Sequence, residues 1–74
     1  MNDSALEQAY QESLEEKLIA RIAEQNGMTL EKAMDVYYHS LLAEKIHRGE
    51  EGVQYLDYKV LAELLLATEP DLFH

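Results

Sequence analysis

Cysteine and tryptophan are absent from this chain, and it has only one proline, one phenylalanine and three glycines. Without thiols there can be no disulfide and no thiolate metal site. With only Pro70, Gly27, Gly49 and Gly52 as breakers, long stretches have nothing to interrupt a helix. Positive charge is scarce as well. Six Lys and Arg stand against fifteen Asp and Glu, for a net charge of −9. The six are scattered: Lys17, Arg21, Lys32, Lys45, Arg48 and Lys59. A nucleic-acid backbone is bound through a basic face that releases counterions, so nucleic acid is not an expected partner. The longest apolar run, residues 60–67, is broken by Glu63 and falls well short of the ~20 residues that span a bilayer. No membrane association is expected. The opening MNDSALEQAYQE has neither the basic nor the apolar region of a signal peptide, which makes the cytoplasm the expected compartment.

The length, 74 residues, allows a single domain. A chain this short buries about 60% of its unfolded surface, and its core supplies at most roughly 3–5 kcal/mol. With disulfides excluded, support must come from well-packed helices, from oligomerisation or from a partner.

Residues 4–25 read as a first helix. Ser4 and Glu7 have capping-box spacing. Leu6, Tyr10, Leu14, Leu18 and Ile22 follow at four-residue steps, flanked by Ala9, Ile19 and Ala23. Such a stripe drifts about 40° per turn on a 3.6-residue helix, which suits an inclined crossing. Its first half is thin in large apolar residues and is expected to fray or to be held by a second subunit. Asn26-Gly27 stops this helix, because glycine tolerates the left-handed conformation of a C-terminal cap. Thr29 then caps a second helix, read as residues 30–47, with Glu31 in its first turn and Met28 as an apolar staple. Its expected core face is Leu30, Ala33, Met34, Tyr37, Tyr38, Leu41, Leu42 and Ile46. His47 and Arg48 suit its negative end, and Gly49 its cap. Residues 50–56 form a loop whose Val53, Tyr55 and Leu56 fold partly back on the core. Asp57 caps a third helix, residues 57–68, with Tyr58, Leu61, Leu64 and Leu65 inward. Glu69-Pro70 ends it, and Leu72 and Phe73 make the tail apolar enough to dock. The fold class is all-α, a three-helix bundle, with a homodimer expected through the first helix.

Four segments carry a family resemblance. They are Gly27-Met28-Thr29-Leu30-Glu31-Lys32-Ala33, then Tyr37-Tyr38-His39-Ser40 with Leu42, then Gly52-Val53-Gln54-Tyr55, then Val60-Leu61-Ala62-Glu63-Leu64. Together they resemble a group of short bacterial proteins of unknown function, often encoded beside a toxin similar to an ADP-ribosyltransferase. The resemblance spans residues 18–66 and implies an antitoxin-like or accessory role. It implies no catalytic residues. Gln54 departs from the pattern where an aromatic is usual, and Asp57 where a serine is usual; Asp is as good a cap.

Catalytic chemistry finds little to work with. Asp35 and His39, four apart, could serve general-base catalysis or a metal, but no nucleophile, second histidine or glycine-rich phosphate loop joins them. They read as an ordinary surface pair, and His47 after Glu44 reads the same way. No catalytic residue, metal ligand or cofactor site is expected, and the chain is not expected to be an enzyme. The tyrosines carry more information. Tyr37, Tyr38, Tyr55 and Tyr58 crowd the second half, each with a large apolar face and a hydroxyl that needs water or a partner. They are the candidate interaction residues. The expected function is a protein-interaction module with a basic protein partner, plausible as the antitoxin-like or accessory partner of a bacterial toxin. The alternative is a small helix-turn-helix regulator binding DNA, built around Gly27, although Glu31 and Asp35 make its second helix a poor surface for phosphates.

Overall fold

In the computed structural model, which describes residues 3–73, every element is helical. The elements are α1 (Asp3–Asn26), α2 (Leu30–Tyr38), α3 (Leu41–Arg48), a 3-10 turn at Glu50–Tyr55, α4 (Tyr58–Thr68) and a final 3-10 turn at Pro70–Phe73. The side chains at 3–5, 7, 8, 50 and 51 lie outside the described residues, as does His74, and with them the capping box expected of Ser4 and Glu7. The all-α class holds. The expected three helices are four, because the second one is broken.

The break falls at His39-Ser40 and has a clear cause. On an unbroken helix, residues advance by 100° each, so Ala33, Val36 and Tyr37 would centre about 125° away from Leu42, Ala43 and Ile46. One straight helix cannot bury both sets against one core, yet all six are buried. Ser40 provides the corner. Its backbone is extended, at φ −90° and ψ 153°. Its hydroxyl donates to the Tyr37 carbonyl and accepts the Ala43 N–H at 3.1 Å. A serine that offers the backbone such local bonds ends one helix and caps the next. The carboxylate of Glu69, just past α4, completes the cap by accepting the Leu41 and Leu42 N–H groups at 3.0 and 3.3 Å. The change of phase also corrects the expected core face. Leu30, Met34, Tyr38 and Leu41 are exposed, and Val36 and Ala43 take their place inside.

The other boundaries follow the sequence closely. Gly27 sits at φ +62°, and the Met28 N–H reaches back to the Ala23 carbonyl at 3.0 Å, closing α1 with a left-handed cap. Thr29 accepts the Lys32 N–H at 3.1 Å. Gly49 ends α3 at φ +68°, beyond a last turn that places Lys45, His47 and Arg48 at the negative pole. Asp57 accepts the Lys59 N–H at 2.8 Å.

Helix α1 packs on α2 and α4, while α3 packs on the 3-10 turn that follows it. The centre is made by Leu18, Ile22, Tyr37, Ile46, Leu61 and Leu65, all closed to solvent. Each such side chain contributes about 1.5–3 kcal/mol by leaving water. Val53 and Gln54 fold back onto this core, but Tyr55 and Leu56 stay out. In α4, Leu61, Ala62 and Leu65 are inward, Tyr58 is half-buried and Leu64 is exposed. Leu72 and Phe73 dock against the core. The stripe on α1 is buried only from Leu14 onward; Leu6 is 70% exposed and Tyr10 45%. The described molecule, α1 included, measures 43 × 21 × 19 Å.

Candidate interaction surfaces

The tyrosines expected at an interface divide into different roles. Tyr37 is fully enclosed. Its hydroxyl donates to Glu15 Oε2 at 2.7 Å, and the same oxygen lies 2.5 Å from His47 Nε2. Burial, then the hydrogen bond to Glu15 and the carboxylate's charge, push the Tyr37 hydroxyl far above the ordinary tyrosine range. Glu15 is itself buried, so one carboxylate ties α1 to α2 and α3. A buried carboxylate is tolerable because two donors converge on it. Tyr37 thus offers nothing to a partner. His47 takes its partner from α1 and not from Glu44, which pairs with Arg48 at 3.3 Å. Residue spacing could not reveal this contact, since Glu15 and His47 are joined only once α1 and α3 have packed.

Tyr38 lies at the surface, 52% exposed, with its ring edge-on to Tyr37 at 5.0 Å. It shares a groove of about 530 Å³ between α1 and α2. The apolar lining comes from Ile19 and Ala20 on α1 and from Leu30, Met34 and Tyr38 at four-residue steps on α2. Glu12 and Glu16 stand on the α1 side, with Glu15 sealed beneath. No lysine or arginine lines it. Partial burial, then the charges of Glu15 and Glu12, raise the Tyr38 hydroxyl's pKa above the ordinary tyrosine value.

Tyr55 and Tyr58 belong to the other side of α1. The Tyr55 ring meets that of Tyr10 at 5.8 Å, and both, with Tyr58 and Lys17, line a shallow cleft. Lys59 Nζ lies 6.0 Å from the centre of the Tyr58 ring, within cation–π range. Gln54, where the resemblance expects an aromatic, is buried and its Oε1 has no donor among the described residues. A third apolar area lies on α3 and α4, where Leu41 and Leu64 line one groove and Val60 precedes Leu64 by a turn. All three of these side chains are exposed.

Asp35 and His39 remain on the surface. His39 Nδ1 is 2.7 Å from the Asp35 carbonyl and 3.3 Å from its carboxylate, so the ring caps the end of α2. Among the described residues no three His, Asp or Glu side chains gather as metal ligands. No described helix is long and apolar enough to cross a membrane. On α2 the exposed charges are Glu31, Lys32 and Asp35, a surface short of the cations that neutralise phosphates. Comparison with known protein families, with curated proteins and with solved structures gave no match.

Proposed function

We propose that this chain is a non-enzymatic protein-interaction module, an antitoxin-like or accessory partner of a bacterial toxin, acting in the cytoplasm on a basic protein. The observation that carries the reading is the grouping of its exposed apolar side chains. Single exposed apolar residues are ordinary, but here Leu30, Met34 and Tyr38 form one set, Leu6, Tyr10 and Tyr55 a second, and Leu41, Val60 and Leu64 a third. Contiguous apolar patches framed by polar residues mark interaction sites. The net charge of −9 favours a basic protein as what covers the first and third sets, by steering and by complementarity. The family resemblance of residues 18–66 supports the toxin-associated role. Tyr37 and His47, which with Glu15 make an acid–base set in composition, both bond to the buried Glu15 carboxylate, which suits a structural use better than a catalytic one. Pairing of two copies through the first half of α1 belongs to the same reading, supported by the exposure of Leu6 and Tyr10.

The test is co-purification with the product of the adjacent gene, together with rescue of growth when that product is expressed alone and is toxic. A stable complex and restored growth are expected. Failure of both sinks the reading. Light scattering tests the dimer: Leu6→Glu should convert a two-chain mass to a one-chain mass, and a one-chain mass for the unaltered protein refutes the pairing.

A further inference from the structure

We infer that the groove between α1 and α2 is a docking site for a basic amphipathic helix of a partner protein, seated on Ile19, Leu30 and Met34 and held by Glu12 and Glu16. This rests on the interaction reading above and assigns it a surface and an occupant. The first argument is shape. Leu30, Met34 and Tyr38 stand at successive four-residue steps along α2, so their side chains form a strip about 12 Å long, the rise of eight helical residues. Ile19 and Ala20 form the facing wall. A trough with apolar walls on both sides and two turns of length accepts side chains spaced i, i+4, i+7, the anchor pattern of a helix laid in a groove.

The second argument is charge. The groove residues include three carboxylates and no cation. Glu15 is spent inward on Tyr37 and His47. Glu12 and Glu16, one helical turn apart and both exposed, have no cation paired with them among the described ion pairs. They are placed to meet Lys or Arg one turn apart on the flank of the incoming helix. An acidic helix or a second copy of this chain would bring like charge against them, which is destabilising. Tyr38 closes one end, half-exposed, with a hydroxyl free to bond the partner's backbone or side chain.

The experiment uses the full chain and a fluorescent synthetic 18-residue peptide with leucine at i, i+4, i+7 and i+11 and lysine or arginine on both flanks. A scrambled peptide of the same composition, with no apolar face, is the control. Methyl NMR of Met34 and Ile19 and fluorescence anisotropy are the readouts. The amphipathic peptide should bind and shift both methyls, and the scrambled one should not. Glu12→Gln with Glu16→Gln should weaken binding about 3- to 20-fold, the worth of two partly exposed ion pairs, and Met34→Asp should remove it. Equal binding of both peptides, or indifference to these substitutions, overturns the inference. A native partner captured equally well by Met34→Asp and by the unaltered chain also overturns it, while the interaction reading stands. Peptide binding as expected with no native partner found leaves the groove assigned and removes the toxin-associated reading.

Discussion

Replacing Tyr37 by phenylalanine tests the centre of the fold with a single oxygen. The ring keeps its place in the buried core, so packing is almost unchanged, and only the bond to Glu15 is lost. A hydrogen bond to a charged acceptor is worth roughly 1.5–3 kcal/mol. Glu15 keeps its contact with His47 Nε2, which places the expected cost near the middle, about 2 kcal/mol. A domain of this size moves about 4–8 °C in Tm per kcal/mol, so Tyr37→Phe should melt about 8–16 °C lower. Urea unfolding followed by circular dichroism should give the same loss at an unchanged slope, since the surface exposed on unfolding is the same. Glu15→Leu should cost about 1–3 kcal/mol by leaving the Tyr37 hydroxyl buried and unpaired. The double variant Glu15→Leu, Tyr37→Phe should recover part of it, because two apolar partners have nothing left to satisfy. The cycle should give a coupling above about 1 kcal/mol. A cost below about 0.5 kcal/mol for Tyr37→Phe, or additive single effects, would refute the view that this bond joins α1 to α2.

Three further outcomes are expected. The folded state holds the Tyr37 proton that the unfolded chain releases near pH 10, so stability is present below that pH and falls above it, by up to about 1.4 kcal/mol per pH unit; denaturation between pH 9 and 11 should show this slope, and Tyr37→Phe should flatten it. Glu69→Ala removes the acceptor for the Leu41 and Leu42 amides and should cost about 1–2 kcal/mol; faster hydrogen exchange at those two amides, more than elsewhere, is the check. Gly27→Ala meets no atom within 4 Å but imposes φ +62° on a side-chain-bearing residue, so a loss of about 1 kcal/mol with unchanged helix content is expected in thermal melts.

Most of the helix boundaries could be read from single residues. Gly27, Thr29, Gly49, Asp57 and Glu69-Pro70 act through their own backbone preferences, which need no tertiary partner. The break at Ser40 was harder, since a serine inside a helical pattern is ordinary and its second cap comes from Glu69, far along the chain. The signal was present in phase: Ala33 and Tyr37 cannot share a face with Leu42 and Ile46. Four-residue steps such as Leu30–Met34–Tyr38 look like a core stripe, but on this fold the strip faces out. Periodicity finds the apolar face of a helix and does not say whether this chain or another covers it. The same limit applies to the site residues. Tyr38 and Tyr55 reached the surface and Tyr37 did not, although Tyr37 and Tyr38 are adjacent in sequence and alike in chemistry. Glu15 with His47 was illegible because their meeting depends on the packing of α1 against α3.

The uncovered apolar area of Leu41, Val60 and Leu64 bears on how the protein behaves in bulk solution. At neutral pH the charge of −9 opposes the approach of further copies through this face. Near the isoelectric point of about 4.5 that repulsion disappears, while the apolar area remains. Colloidal stability therefore falls with acidity and with ionic strength, and the protein is best handled above pH 7 at low salt, where the repulsion is least screened.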